Sequence, residues 1–379
     1  MYLFLYCFTY RNRNVDKNKT FNPLNVSSKF AICGLPIRVD TYKTCSFGCK
    51  YCFSNYRKIM EFDKNLQIGN VKSVERRLDK IFVRNKVDKT NFLDFLISQR
   101  YDWHCGGMSD PFQPAEEKFH ITKQLIDVTK QYNIHILFST KSSTLYGCEV
   151  EPDLHTFQMS VTNVTNDKSI EPNVPDILER YKLYRNLKDN GFKVGIRIQP
   201  FIPGISSTDI IDMFHDADHF TIEGLKIVPQ NKEHKEYLLK LTGLDKSSFT
   251  QMGLLNLKPK IRLNLYQPLI EKLQQYSIPY SIADNDLHYL STSKCCCGDV
   301  LTNKTTDFNN TAMIYKYGID YTKEEVDSEL TKSNVCGCKC CQLFTSNRQE
   351  GCVTVQEFYD KRFDRKSSPF SPKFLYKGE

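Results

Sequence analysis

The sequence predicts a parallel α/β fold, a barrel or a doubly wound sheet, followed by a Cys-rich C-terminal segment. Short runs rich in Ile, Val and Phe recur between residues 30 and 285, with amphipathic stretches between them. Buried parallel strands have that composition, and the connections between them are usually helices. The C-terminal segment is marked by eight of the 15 cysteines, which lie at or beyond position 295.

The chain opens on an apolar stretch, residues 1–10, with Arg11 and Arg13 after it rather than before it. It has no small-residue cleavage site, so a buried first strand or helix is expected rather than a cleaved leader. Residues 1–29 are read as an N-terminal extension, 30–285 as the main domain and 286–379 as the Cys-rich segment. Strands are expected at 36–40 (PIRVD), 134–139 (IHILFS), 156–161 (TFQMSV), 193–199 (KVGIRIQ) and 224–228 (GLKIV). A helix is expected over 116–132, opened by Pro114 and two glutamates, with Phe119, Leu125, Ile126 and Val128 on one face. A second, over 176–190, carries Ile177, Leu178, Tyr181, Tyr184 and Leu187 at spacings of three and four, and Gly191 stops it. Two more are expected over 209–215 and 265–276. In either version of the fold, polar residues at the carboxyl ends of the strands are the candidates for chemistry.

Composition excludes several classes. Apolar residues at 40% and charged residues at 25% suit a globular protein and argue against long disorder. No stretch approaches the roughly 18–20 uninterrupted apolar residues that span a bilayer, so no membrane partner is expected. A net charge of +8 in 379 residues is compatible with a polyanionic partner without requiring one. Nothing marks export, so the cysteines are expected to be reduced, in the cytoplasm, and available for metal or iron–sulfur ligation.

The sharpest motif is Cys45-Ser-Phe-Gly-Cys49-Lys-Tyr-Cys52, directly after PIRVD. Three thiols within eight residues of a loop can converge on one cluster, and Gly48 lets the backbone turn tightly. Three ligands leave one iron of a [4Fe–4S] cluster without a protein thiolate. A zinc site completed by a distant fourth ligand is the competing use of the same spacing.

CxxxCxxC with an aromatic before its last cysteine (Tyr51) resembles the signature of the radical S-adenosylmethionine (SAM) superfamily. The later motifs narrow the resemblance to the branch of spore photoproduct lyase and DNA repair photolyase-like proteins. In order, they are Ser109-Asp110-Pro111-Phe112-Gln113-Pro114, Thr140-Lys141-Ser142, Ser160-Val161-Thr162 and Pro200-Phe201-Ile202-Pro203-Gly204. The resemblance covers about residues 30 to 230, and its specificity lies in the ordered series. It implies a partial (β/α)6 TIM-like barrel, with Cys45, Cys49 and Cys52 holding a [4Fe–4S] cluster and the vacant iron chelating SAM. Reductive cleavage of SAM would then abstract hydrogen from a substrate, with a nucleic acid or nucleotide the favoured class. Flavodoxin or ferredoxin would be the electron donor. Lys141 and Ser160 stand where the SAM carboxylate needs donors. Ser109 and Asp110, after Gly106 and Gly107, could meet the methionine amine, with the glycines allowing close backbone approach. Arg197 could point into the barrel or out to water. Trp103 and His104 are read as packing residues. One departure is plain. The hydrogen-donating cysteine of spore photoproduct lyases stands two residues before the matched Ser, and that position here is Gly107, with Cys105 the nearest thiol. The resemblance therefore implies a different reaction on the same scaffold.

Cys295, Cys296, Cys297, Cys336, Cys338, Cys340, Cys341 and Cys352 form no standard pair of C-x2-C knuckles. Eight free thiols so close together would be reactive, and an auxiliary site is expected, either a second iron–sulfur cluster or Zn2+, with disulfides or a metal-free packed knot as the alternatives. The basic, Ser- and Pro-bearing tail from Lys361 is read as a solvated end. The rival reading of the whole chain is a non-catalytic zinc-binding, nucleic-acid-binding protein whose two cysteine groups are structural. A pure electron carrier is disfavoured, because it wants four thiolates and has no use for a ligand-binding barrel.

Overall fold

The computed structural model describes residues 20–27, 34–56, 66–88, 91–252, 254–284, 287, 290–293 and 295–305. The expectations for residues 1–10, for Cys336, Cys338, Cys340, Cys341 and Cys352, and for the basic tail lie outside them.

Eight strands form the main sheet: β1 (Leu24–Val26), β2 (Ile37–Val39), β3 (Trp103–Cys105), β4 (Ile136–Thr140), β5 (His155–Ser160), β6 (Val194–Phe201), β7 (His219–Gly224) and β8 (Tyr280–Ile282). Each pairs with its neighbour in sequence, giving the order β8-β7-β6-β5-β4-β3-β2-β1, and every pairing is parallel except β1 with β2. A doubly wound sheet reverses its strand order at a switch point, whereas this sheet advances in one direction throughout. The architecture is therefore that of an open barrel. β1 closes one edge in antiparallel pairing, so residues before position 30 contribute to the main sheet.

The strand at 224–228 is a correction. Lys226–Ile227 belongs instead to a small antiparallel sheet with Phe249–Met252 and Leu254–Leu257, and the barrel strand is β7, just upstream. β7 (HFTIEG) lacks the short apolar run by which the other strands were read, its alternation being the other strand signature. β3 and β8 were likewise not expected. The helix over 116–132 is two, Ala115–Phe119 and Ile121–Lys130, broken at His120, which takes a left-handed φ of 50°. Ile177–Asp189 and Asp209–Met213 match expectation, and Pro259–Gln275 begins six residues before its expected start.

Apolar side chains fill the space between strands and helices: Phe138, Phe157, Ile196, Ile198 and Ile222 are fully buried with Leu125, Tyr184 and Tyr266 from the helices. Trp103 is fully buried, as expected of a packing residue. The inner side is different. Arg38 pairs in register with His104, and Arg197, Thr221 and Ser281 occupy one row across β6, β7 and β8. That polar row is covered by residues 295–305. Ser281 Oγ donates to Cys295 O (2.8 Å), Thr221 Oγ1 to Cys296 O (3.1 Å), Gln158 Nε2 to Cys297 O (3.0 Å) and Thr156 Oγ1 to Leu301 O (2.7 Å). The Asp102 carboxylate anchors the end of the segment by accepting from Asn303 N and Lys304 N. Gly298 makes the close approach feasible: at φ +92°, a Cβ there would lie 2.5 Å from His219 Cγ. The first part of the Cys-rich segment is thus folded into the barrel.

Candidate functional site

The first cysteine triad sits in the loop after the carboxyl end of β2, and its shape is fixed from outside. The buried Gln113 amide bridges the loop, accepting from Ser46 N (2.8 Å) and donating to Thr44 O (2.8 Å). Asn173 holds the far side, donating from Nδ2 to Ser46 O (3.0 Å) and from its main-chain N to Phe47 O (3.2 Å). Cys49 is buried, Cys45 and Cys52 are half-buried, and none of the three is in a disulfide. Burial pushes the Cys49 thiol up to about 12, against the pull of Lys141. Burial also raises Cys45, helped by the Asp110 charge. Unligated, the Cys45 and Cys49 thiols stay protonated, and ligation is what would convert them to thiolates.

Lys141 follows β4 directly. Its ammonium pairs with Glu171 (2.9 Å), donates to Ser160 O and Thr162 Oγ1 (both 3.3 Å), and lies 5.5 Å from the centre of the Tyr51 ring. Tyr51 donates its hydroxyl to Glu171 and accepts from Thr162 Oγ1 (3.0 Å). Arg180 reaches Ser160 O as well. Burial acts to raise the Glu171 carboxyl, but Lys141, then Arg180, with hydrogen bonds from Tyr51 and Lys141, outweigh it and hold the group below its ordinary value. Lys141 is therefore not a solvated strand-end lysine. It belongs to a buried charge network against the Cys loop.

Asp110 and Ser109 have structural partners. Asp110 accepts from Lys141 N (2.6 Å), Thr140 Oγ1 (2.8 Å) and Phe112 N (3.0 Å), clamping its loop to the end of β4. Burial nonetheless raises its carboxyl to about 6. Ser109 Oγ donates to Tyr42 O. Gly106 brings the backbone close to the Ser139 carbonyl, where a Cβ would lie only 2.2 Å from the oxygen. Ser160 meets Lys141 and Arg180 through its main-chain carbonyl.

Arg197 points inward, with Nη1 donating to Gln158 Oε1 (2.9 Å) and Nε to Gln199. His104 also faces the polar interior, with Nε2 2.8 Å from Ser139 Oγ. Burial first, then Arg197 and Arg38, push its imidazole down to about 3. The second triad lies on this same inner face. Cys295, Cys296 and Cys297 have all three Sγ atoms within 4.8 Å of one another, the one such group among the described residues. The first triad is more widely spread. A tetrahedral zinc with Zn–S of about 2.3 Å needs thiolates about 3.8 Å apart. The three thiols of the first loop do not all lie within 4.8 Å of one another.

No family model matches the sequence, and no curated protein matches it. Solved structures do. Spore photoproduct lyase complexed with dinucleoside spore photoproduct superposes with a TM-score of 0.50 at 14% identity, over 71% of this chain and 80% of the lyase. A cysteine-to-serine mutant of the lyase gives 0.51 at 13%, over 70% and 79%. The chain has the spore photoproduct lyase fold. SuiB of Streptococcus suis bound to S-adenosylmethionine matches more weakly, with a TM-score of 0.42 at 14% identity over 67% of this chain and 52% of SuiB. The ordered motifs and the strand order thus point to the same lyase fold by independent routes.

Within the lyase fold, sequence reasoning missed Glu171, Arg180 and Gln113 and undervalued His104. Gln113 stood inside a quoted motif and could have been found there. Glu171 lies 120 residues from Tyr51, its hydrogen-bond partner, and no local pattern marks it. Two buried donors beside this network have no partner among the described residues, Asn163 Nδ2 and Arg180 Nε. Leaving such groups unpaired costs about 1–3 kcal/mol each, a cost that a polar ligand bound there would recover.

Proposed function

We propose that the chain is a radical SAM enzyme. Cys45, Cys49 and Cys52 would hold a [4Fe–4S] cluster with one iron left for the amino and carboxylate groups of SAM. The observation that carries the reading is the wide, pinned Cys loop at the carboxyl mouth of an open parallel barrel. When bound, that group supplies the electron that cleaves SAM to methionine and the 5′-deoxyadenosyl radical, which takes hydrogen from the substrate.

The chain's own residues do the holding. Gln113 and Asn173 fix the loop, and Asp110 locks the following turn onto β4. Lys141 and Glu171 present a balanced charge pair beside Cys49, and Asn163 Nδ2 and Arg180 Nε offer donors for the polar parts of SAM. Ser109 and Asp110 hold the scaffold through the bonds they already make, and each keeps acceptor lone pairs for the methionine amine. Residues 295–305 close the barrel interior from the other side and limit water. We propose a nucleotide or nucleic acid as substrate. The inward Arg38 and Arg197, the net charge of +8 and the dinucleoside bound by the lyase of this fold support that class. A flavodoxin or ferredoxin would be the reductant. Gly107 in place of the hydrogen-donating thiol supports a reaction other than thymine-dimer repair.

The test is anaerobic reconstitution with iron and sulfide, then EPR of the reduced protein with and without SAM, on the wild type and on C45A/C49A/C52A. A [4Fe–4S]+ signal that shifts with SAM and is absent from the variant is expected, together with release of 5′-deoxyadenosine. A wild type that takes up zinc and no iron would sink the reading.

A further inference from the structure

The second triad is built differently from the first. The Sγ atoms of Cys296 and Cys297 are 3.9 Å apart, close to the edge of a zinc–thiolate tetrahedron, about 3.8 Å. Cys295 Sγ completes the group within 4.8 Å. None of the three is in a disulfide, and Cys295 and Cys297 are buried while Cys296 is half-buried. The barrel holds their backbone in place through Ser281, Thr221 and Gln158, which donate to the three carbonyls in turn, while Asp299 Oδ1 accepts from Cys295 N (2.8 Å). The convergence is thus preorganised by side chains of β5, β7 and β8.

Arg197 supplies a second, independent observation. It lies within electrostatic range of Cys297, and its hydrogen-bond partners are two neutral amides, Gln158 and Gln199. Among the described residues it has no carboxylate partner. A half-buried guanidinium without a counter-charge is costly. A divalent ion bound by three thiolates carries one net negative charge, which is the charge this arginine lacks.

We propose that Cys295, Cys296 and Cys297 form a three-thiolate site for one soft divalent cation, of the Zn2+ class, with Arg197 as its counter-ion. Binding replaces three S–H bonds by three metal–sulfur bonds and releases three protons, with no change of oxidation state. Three protein ligands leave a fourth position for water or a donor atom of the substrate. The site is independent of the cluster proposed for the first triad.

The experiment is anaerobic Co2+ titration of the full chain carrying C45A/C49A/C52A, which removes the first triad from competition. One equivalent of Co2+ should produce sulfur-to-cobalt charge-transfer bands and the intense visible bands of tetrahedral cobalt. The spectrum should persist when Cys336, Cys338, Cys340, Cys341 and Cys352 are all serine, and vanish in C295S/C296S/C297S. The single variant Cys296→Ser, less exposed to folding failure, should shift the charge-transfer band. Arg197→Gln should weaken Co2+ binding about tenfold or more, with Arg197→Lys restoring most of it. A spectrum unchanged in both C295S/C296S/C297S and Cys296→Ser would overturn the proposal. So would iron with acid-labile sulfide in the C45A/C49A/C52A protein, which would make the second group a cluster site.

Discussion

The two cysteine triads use the same residue type to opposite geometric ends. In the first, gaps of three and two residues spread the thiols around a loop whose shape is imposed by Gln113 and Asn173. In the second, three consecutive cysteines turn their thiols together because barrel side chains hold each of their carbonyls. The first stands at the carboxyl mouth, beside a charge network of Lys141, Glu171 and Arg180. The second lies on the inner face beside Arg197, which has no carboxylate partner among the described residues. Spacing sets how far apart the sulfurs stand, and the charges nearby set what net charge a bound group can carry. These are the grounds on which a multi-iron group is proposed at the mouth and a single ion inside.

The largest expected effect comes from discharging the network at the mouth. Glu171→Gln keeps a hydrogen-bond acceptor for Tyr51 but leaves Lys141 and Arg180 without their carboxylate. Removing one member of a buried pair costs about 3 kcal/mol or more. Urea unfolding at neutral pH should show that loss. The folded carboxyl titrates below its unfolded value, so its contribution is complete above the ordinary Glu range and is lost as pH falls through the folded value. The gap between wild type and variant should therefore close in acid. A gap that stays constant with pH would mean that charge is not what the residue contributes.

The inner triad is broken most directly by Gly298→Ala. The added methyl would meet the His219 ring at 2.5 Å, on a backbone whose φ of +92° already disfavours a side chain. Overpacking and backbone strain together should cost about 3 kcal/mol. Cobalt binding by the inner triad should fail while iron uptake at Cys45, Cys49 and Cys52 survives. Joint loss of both would show that the two sites form one cooperative unit.

How much of this was legible beforehand follows from the range of the interactions. The Cys loop, β2, β4, β5 and β6 could be read because each is a local pattern of apolar residues or fixed spacings. β3 (WHC) and β8 (YSI) are as short as β2 but lack its two β-branched residues, and β7 alternates because its inner face meets polar groups of the Cys-rich segment. Lys141 was found by its place at a strand end, but its partner Glu171 comes from a loop after β5. The direction of Arg197 was undecidable, since both sides of β6 are covered and alternation then carries no information. The convergence of Cys295, Cys296 and Cys297 depends on Gln158, Thr221 and Ser281, which lie far from them in sequence. Topology alone brings those residues together.

Gln113→Ala separates the loop from the network behind it. The substitution deletes one acceptor and one donor, leaving Ser46 N and Thr44 O unpaired, at a cost of about 2 kcal/mol. Iron bound per chain after reconstitution should fall, because the three cysteines lose the support that fixes their spacing. Cobalt binding by the inner triad should be unchanged. Full iron loading in this variant would mean that the loop holds its shape through Asn173 and its own turns.

The smallest effect tests why glycine stands at each triad. Gly48 has φ +66°, and a Cβ there would meet Asn173 Nδ2 at 3.4 Å and Ser46 O at 3.9 Å, both ordinary contacts. Its requirement is conformational, so Gly48→Ala should cost about 1 kcal/mol, the penalty for a left-handed alanine. Gly298 needs the same backbone freedom and, in addition, empty space against His219. Alanine at the mouth should therefore leave a folded protein that still takes up iron, whereas alanine inside should not leave a working inner triad. If Gly48→Ala abolishes iron uptake while leaving the unfolding midpoint nearly unchanged, the glycine is serving the bound group's own volume rather than the turn. The mouth would then be as closely fitted as the interior.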